Sequence, residues 1–281
     1  MKKALVIFVI LGAIGVWYSN RSPDLPEPIA YSNVIASDAL AERSSPVNDA
    51  RRSDDEIAAS PPEAAPRNDS MTSPSPSPLQ GEGIPDAYNL EVPFQSQAPH
   101  ANWELPYQEA CEEASLIMAG RFFSGESLSA EEMDSEIKKL VAWEQDTFGY
   151  YEDTTAGEVV RMAADYFNLN ATLDYDTSVE NIQRHIVSGK LVVVPAAGRI
   201  LQNPYFSGEG PLYHMLVIRG YTPTHFITND PGTRRGEEFI YTHDALINAI
   251  HDWPREHGGF KDNVTEDEMH AGTPVLIVLD K

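Results

Sequence analysis

Apolar residues fall into three regimes along this chain. An unbroken apolar run, Ala4 to Tyr18, follows Lys2 and Lys3. From about Asn20 to Tyr88 large apolar residues are sparse and Pro, Ser, Ala and Asp prevail, as in Ser45-Ser-Pro, Ser60-Pro-Pro and Ser73-Pro-Ser-Pro-Ser-Pro. Beyond residue 89 the pattern is that of regular structure. Good helix formers from Ala114 onward put Leu116, Ile117, Phe122 and Phe123 on a helix face fit for burial. Leu191-Val-Val-Val-Pro and Pro274-Val-Leu-Ile-Val-Leu279 read as buried strands. Tyr213-His-Met-Leu-Val-Ile-Arg-Gly-Tyr221 and His225-Phe-Ile-Thr-Asn-Asp230 read as two strands of a hairpin, joined at Thr222-Pro223-Thr224 and closed by an Asp-Pro-Gly turn. Ser129-Ala-Glu-Glu132, Thr155-Ala-Gly-Glu158 and Thr177-Ser-Val-Glu180 have the spacing of capping boxes and predict three helix starts.

These regimes set the domain organisation. Residues 1–20 read as an export signal, with a positive start and an apolar core. No small-x-small cleavage site follows, and Trp17-Tyr18 suit a membrane interface, so a signal anchor with the domain outside the cytoplasm is expected. The run is shorter than the ~20 residues of a comfortable span, which keeps a cleaved signal and a secreted protein as the alternative. Residues 21–88 cannot bury enough apolar surface to offset chain entropy, and predict a disordered linker dispensable for folding. One domain is expected over residues 89–281.

The net charge of −23 lies mostly on that domain. Such a surface repels phosphate backbones and anionic lipid heads, which argues against nucleic-acid binding and leaves the N-terminal segment as the membrane contact. The chain has one cysteine, Cys111, so no intrachain disulfide can form. His185, His243, His251 and His257 lack ligand spacing, and no metal or other cofactor is expected. The tryptophans Trp103, Trp143 and Trp253 are assigned to core packing rather than to a cleft.

Cys111 falls at the start of the predicted helix. Unpaired amides and the positive dipole end favour a thiolate there, whereas Glu112 and Glu113 oppose it by their charge, so a base is needed. The predicted hairpin supplies one. Centred between residues 222 and 223, it pairs His214 with position 230 or 231, bringing His214 and Asp230 together on one face at the open end. Asn229 could also orient a histidine, but this register turns it to the other face. Thiol, imidazole and carboxylate in this chain order are the parts of a cysteine hydrolase.

Val92-Pro-Phe-x-x-Gln97, Cys111-x-x-Ala-Ser, Gly189-Lys-x-Val-Val-Val, Gly210-Pro-Leu-Tyr-His214-x-x-x-Ile-x-Gly-Tyr and Asn229-Asp230-Pro-Gly together resemble the bacteriocin-processing peptidase-like domain, a papain-like cysteine peptidase family. The resemblance implies an α+β papain-like fold, its nucleophile on an N-terminal helix packed against an antiparallel sheet carrying His and Asp. It implies Cys111 as nucleophile, His214 as general base and then acid, Asp230 as orienter, and Gln97 as oxyanion donor, with Gln108 as rival for the last role. The family usually has Cys-Gly-Pro where this chain has Cys111-Glu112-Glu113, and these 281 residues contain no multispan region like the exporter to which the processing peptidases are fused. The expected function is an extracytoplasmic, membrane-tethered, monomeric cysteine peptidase acting on peptides or peptidoglycan stem peptides. A catalytically silent peptide-binding relative and a transglutaminase-like acyl transferase are the alternatives.

Overall fold

The computed structural model describes residues 25–36, 83–254 and 264–281. The expected export segment and most of the expected linker lie outside the described residues. In chain order the elements are α1 (residues 31–36), β1 (Tyr88–Asn89), α2 (Cys111–Ser124), α3 (Ala130–Thr147), α4 (Ala156–Asp165), β2 (Asn170–Asp174), α5 (Val179–Val187), β3 (Leu191–Ala197), β4 (Tyr213–Tyr221), β5 (His225–Asn229), β6 (Phe239–Thr242), α6 (His243–Ala249), α7 (Glu266–His270) and β7 (Leu276–Asp280). The strands form one antiparallel sheet in the order β2-β7-β3-β4-β5-β6, with β1 added along β4.

The centre of the sheet is β3 and β4, buried along their whole length. Their continuous apolar runs follow from that position, since a strand covered on both faces has no solvent side to make polar. α2 packs across β4, with the Ser115 hydroxyl donating to the Met215 carbonyl at 3.3 Å, and α3 and α4 lie against α2. The helix is buried nearly all round, from Cys111 to Ala119 and again at Phe122 and Phe123. It ends at Gly125, which sits at φ 71°, a left-handed conformation glycine adopts without a Cβ clash. This is the expected α+β class, with the cysteine helix against an antiparallel sheet.

The hairpin forms in a different register from the one expected. Val217 pairs with Asn229 and Ile218 with Thr228, and a bulge between Ile218 and Gly220 then shifts the pairing by one residue before the turn. Extended to the open end, this register sets His214 opposite Gly232, two residues beyond Asp230. A shift of two preserves the face, because strand side chains alternate with period two. Asp230 therefore stays on the side of His214, reached diagonally. Asn229 faces the other way, where its amide donates to the carbonyls of Val92 and Pro93 beside buried Arg219.

The capping boxes at Ser129 and Thr155 form, each with side-chain and backbone bonds in both directions. The third does not. α5 is capped by Ser178, whose hydroxyl accepts from the Asn181 amide, while Glu180 pairs with Arg184 on the helix surface. Asp176 accepts from the Ser178 amide and fixes the chain one residue later than the box requires. A box outside the expected set, Thr265 with Glu268, opens α7.

The linker expectation fails over residues 25–36. Ile29 exchanges backbone hydrogen bonds with Asn89 and Glu91, both at 2.8 Å, and Asn89 donates to the Pro26 carbonyl. Val34 is buried, and a Cβ at Gly189 would come within 2.5 Å of it. Tyr31 stands 5.2 Å from both Phe122 and Phe123, ring centre to ring centre, over the end of α2. The segment is too short to bury a core of its own, but two backbone bonds and three apolar anchors suffice on a preformed surface. A protein truncated to begin at Gly83 is therefore expected to lose about 2–4 kcal/mol of stability. Thermal melting against a protein beginning at Asp24 checks this, and equal midpoints would show the strap to be idle.

Candidate active site

Cys111 is the first residue of α2 and is nearly buried. The N-cap position is Ala110, which has no side chain to cap with, so the first-turn amides are not closed off by a capping side chain. The thiol donates to Glu112 Oε2 at 3.0 Å, and Glu112 Oε1 accepts the Thr154 amide at 3.1 Å.

His214 is the second residue of β4. Its Nε2 lies 2.7 Å from Asp230 Oδ1, with both side chains buried. With Nε2 turned to the carboxylate, Nδ1 is the nitrogen left for a thiol. Asp230 Oδ1 also accepts the Gly232 amide, and Oδ2 accepts the Tyr241 hydroxyl at 2.6 Å and the Asn203 amide at 3.0 Å. Burial works against this carboxylate's charge. The His214 charge and these donors outweigh it and hold Asp230 below the ordinary carboxyl range. Phe206 packs edge-on to the imidazole, ring centres 5.3 Å apart. A side chain at Gly232 would come within 2.8 Å of His214 Cε1 and 2.9 Å of Phe206, so this glycine is what lets the turn approach the ring.

Cys111, His214 and Gln97 line one cleft of about 960 Å³. Gln97 is brought there because its backbone amide donates to the Pro231 carbonyl at 3.0 Å, fixing its loop to the Asp-Pro-Gly turn. Both Nε2 hydrogens of Gln97 are committed, to the carbonyls of Tyr107 at 2.9 Å and Gln108 at 3.1 Å, and Oε1 has no partner among the described residues. In this arrangement Gln97 holds the loop leading into Cys111, and offering a donor to an oxyanion requires its amide to turn. Gln108 lines the same cleft but donates to Glu109.

The expectation for the tryptophans holds at two of three. Trp143 packs against Phe148 and Tyr166, and Trp253 is buried in the core against Tyr213 while one side of it lines the cleft; Trp103, 41% exposed, lines the cleft outside the core. Trp103 sits on an irregular loop whose placement no period encodes.

The helix start does not lower the thiol pKa. Burial pushes Cys111 well above the ordinary thiol range, and the charge and hydrogen bond of Glu112 push it further, against the Met215 amide, which lowers it. Glu112 is itself raised by burial and by Glu113, so thiol and carboxyl compete for protonation in the same dry volume. Glu112→Gln keeps the shape and removes the charge. Its thiol alkylation profile is expected to move to lower pH by about one unit; an unmoved profile would show that Glu112 does not restrain Cys111.

Behind this pair, Glu113 and Glu144 are fully buried and interact with each other, and no donor among the described residues meets any of their four oxygens, an arrangement that needs at least one proton. Burial raises both, and for Glu144 the charge of Glu113 adds to it. A carboxyl raised on folding stabilises the native state below the ordinary carboxyl pKa, and that contribution is lost as pH climbs through the raised value. Glu144→Gln is therefore expected to melt higher than the parent at pH 8–9, with the difference shrinking toward pH 4. A parallel offset at all pH values would refute the shared-proton account.

Cys111 and His214 thus line one cleft, with Asp230 buried behind the imidazole. Sequence reasoning missed Tyr241, Asn203 and the Glu112 contact. Tyr241 was detectable in principle, since Phe239-Ile-Tyr-Thr242 alternates like a strand and follows the hairpin after a glycine turn. Asn203 comes from a loop and has no such signal.

A family model described as Peptidase_C39 like family matches residues 89–257. Among solved structures the chain is similar to a crystal structure described as a candidate C39-like peptidase from Bacillus anthracis. That match has 18% identity and a TM-score of 0.43, covering 68% of this chain and 95% of the other. No curated protein matches the chain.

Proposed function

The chain belongs to the Peptidase_C39-like family, and from that premise we propose that it is a cysteine peptidase that cuts amide bonds through Cys111, His214 and Asp230. The observation that carries this reading is the buried 2.7 Å contact between His214 and Asp230, in a cleft that Cys111 also lines. Asp230 holds the imidazole by Nε2, so Nδ1 takes the proton from Sγ when a substrate carbonyl is in place. The thiolate attacks the carbonyl carbon, and the developing oxyanion is met by amides at the start of α2, with Gln97 after its amide turns. His214 returns the proton to the leaving amine, and water then hydrolyses the thioester with His214 as base.

Substrate entry is part of the activation. In this reading a bound peptide breaks the thiol contact with Glu112 and leaves His214, which lines the same cleft, to take the proton. The domain acts outside the cytoplasm in this reading, carried there by Lys2-Lys3 and the apolar run to Tyr18. Among the described residues no helix is long and apolar enough to cross a membrane. Protease added to intact spheroplasts should digest the domain, and full protection would place it inside.

One observation favours a second reading, the silent peptide binder: the thiol is buried, tied to Glu112 and pushed up in pKa. Mass spectrometry of peptide and muropeptide pools incubated with the purified protein separates the readings. New amino termini with matching carboxyl fragments support hydrolysis. Amine incorporation would indicate an acyl transferase, and unchanged pools with measurable binding would indicate the silent relative.

A further inference from the structure

The arginines of this protein are distributed in a way its charge does not explain. Among the described residues, Arg121, Arg161, Arg184, Arg199 and Arg219 each hold a carboxylate within 4.0 Å. Arg234 and Arg235 are in no ion pair among the described residues, although the chain carries 43 acidic residues against 20 Lys and Arg. Both are exposed, and both line the cleft that contains Cys111 and His214. In so acidic a protein, two adjacent arginines with no carboxylate partner among the described residues are free to pair with a carboxylate from a ligand.

Their setting is built. The Asp230 amide donates to the Gly236 carbonyl, the Gly232 amide to Asp230 Oδ1 and the Arg235 amide to Thr233 Oγ1, so the turn hangs from the carboxylate that holds His214. The Arg235 guanidinium lies over the Tyr205 ring, 4.8 Å from its centre, and Tyr205 is 43% exposed. Stacking orders the planar fork without neutralising it, and leaves its edge N–H groups for a carboxylate. The remaining charged side chains of the cleft, Glu109, Glu112 and Asp153, are all acidic. Without the arginines, the cleft and the domain's net charge would together repel an acidic peptide.

We propose that this site selects peptides carrying a carboxylate near the scissile bond, held by Arg234 and Arg235. The proposal rests on the peptidase reading for its scissile bond, but the anchor itself can be tested without turnover. The carboxylate can be an acidic side chain or the free end of a peptide, and the two sources are distinguished by their probes.

The experiment uses hexapeptide pairs identical except for Glu against Gln at one position, and a second set with a free or amidated C-terminus. The full chain is expected to favour the carboxylate member of at least one pair by about tenfold in kcat/KM, carried by KM. The preference should fall toward one in the Arg234→Ala/Arg235→Ala double variant and at raised salt. Calorimetry with the Cys111→Ala protein should show the same preference in Kd. Equal handling of every pair, or a preference that persists in the double variant, would overturn the proposal. Binding preference without any cleavage by the parent would uphold the anchor and overturn hydrolysis. An absence of both binding and cleavage would overturn both.

Discussion

Cys111→Ala is expected to abolish peptide turnover, a loss on the order of a million-fold or to background. His214→Ala should match it, and the double variant should be no worse. The reason is that the two side chains perform one step. Without Sγ there is no atom to form the acyl-enzyme, and without the imidazole the thiol keeps its proton in a buried site that already disfavours the thiolate. Cys111→Ala also removes the hydrogen bond to Glu112, so the melting temperature must be measured beside the rate. A folded Cys111→Ala protein with substantial activity would sink the nucleophile assignment. Additive losses in the double variant would show the two residues acting separately.

Asp230→Asn is expected to cost about a thousandfold or more in kcat, the scale of losing the group that orients a catalytic histidine. The geometry also forbids a silent exchange. The Asp230 oxygens take His214, the Gly232 amide, Tyr241 and Asn203, so every neighbour is positioned to donate. An asparagine replaces one acceptor oxygen by an NH2 group. Turned one way it faces Tyr241 and Asn203 with a donor, and turned the other it faces the Gly232 amide and forces His214 into the opposite tautomer. A stability loss of about 1–3 kcal/mol should accompany the kinetic one. Because Asp230 is held below the ordinary carboxyl range, the stability it provides is present above that range and lost as pH falls through the lowered value. The variant should therefore lose part of the parent's acid-induced destabilisation. Full activity in Asp230→Asn, or greater damage from Asn229→Ala, would move the orienting role to the neighbouring residue.

The legible part of this site was carried by short-range pattern. Helix formers beginning after Cys111 put the thiol at a helix start, and two β-rich runs flanking a Thr-Pro-Thr turn put His214 and Asp230 on one face. The inference about the face held although the register moved, because the turn is longer by two residues and the bulge takes one back, which sets His214 opposite Gly232, two residues from Asp230 and so on its face. A pairing of His214 with position 231 would have turned Asn229 to the histidine's face instead. The Ser129 and Thr155 helix starts were equally legible, since a capping box closes within four residues.

What the sequence determined by itself was the helix that opens at Cys111, the order of the candidate residues and the sheet face that His214 and Asp230 share, all properties of neighbours in the chain or of a two-residue period, while the class of the fold was implied by resemblance. Tertiary structure alone decided the protonation and reach of those residues. It buried Glu112 against the thiol, filled Asp230 Oδ2 from β6 and a loop, and spent the Gln97 donors on the approach to Cys111. It also gave residues 25–36 a surface to fold on, which their composition could not supply. These outcomes depend on which distant groups share a dry volume. Desolvation and hydrogen-bond partners are properties of that volume, and no local pattern of residues encodes them.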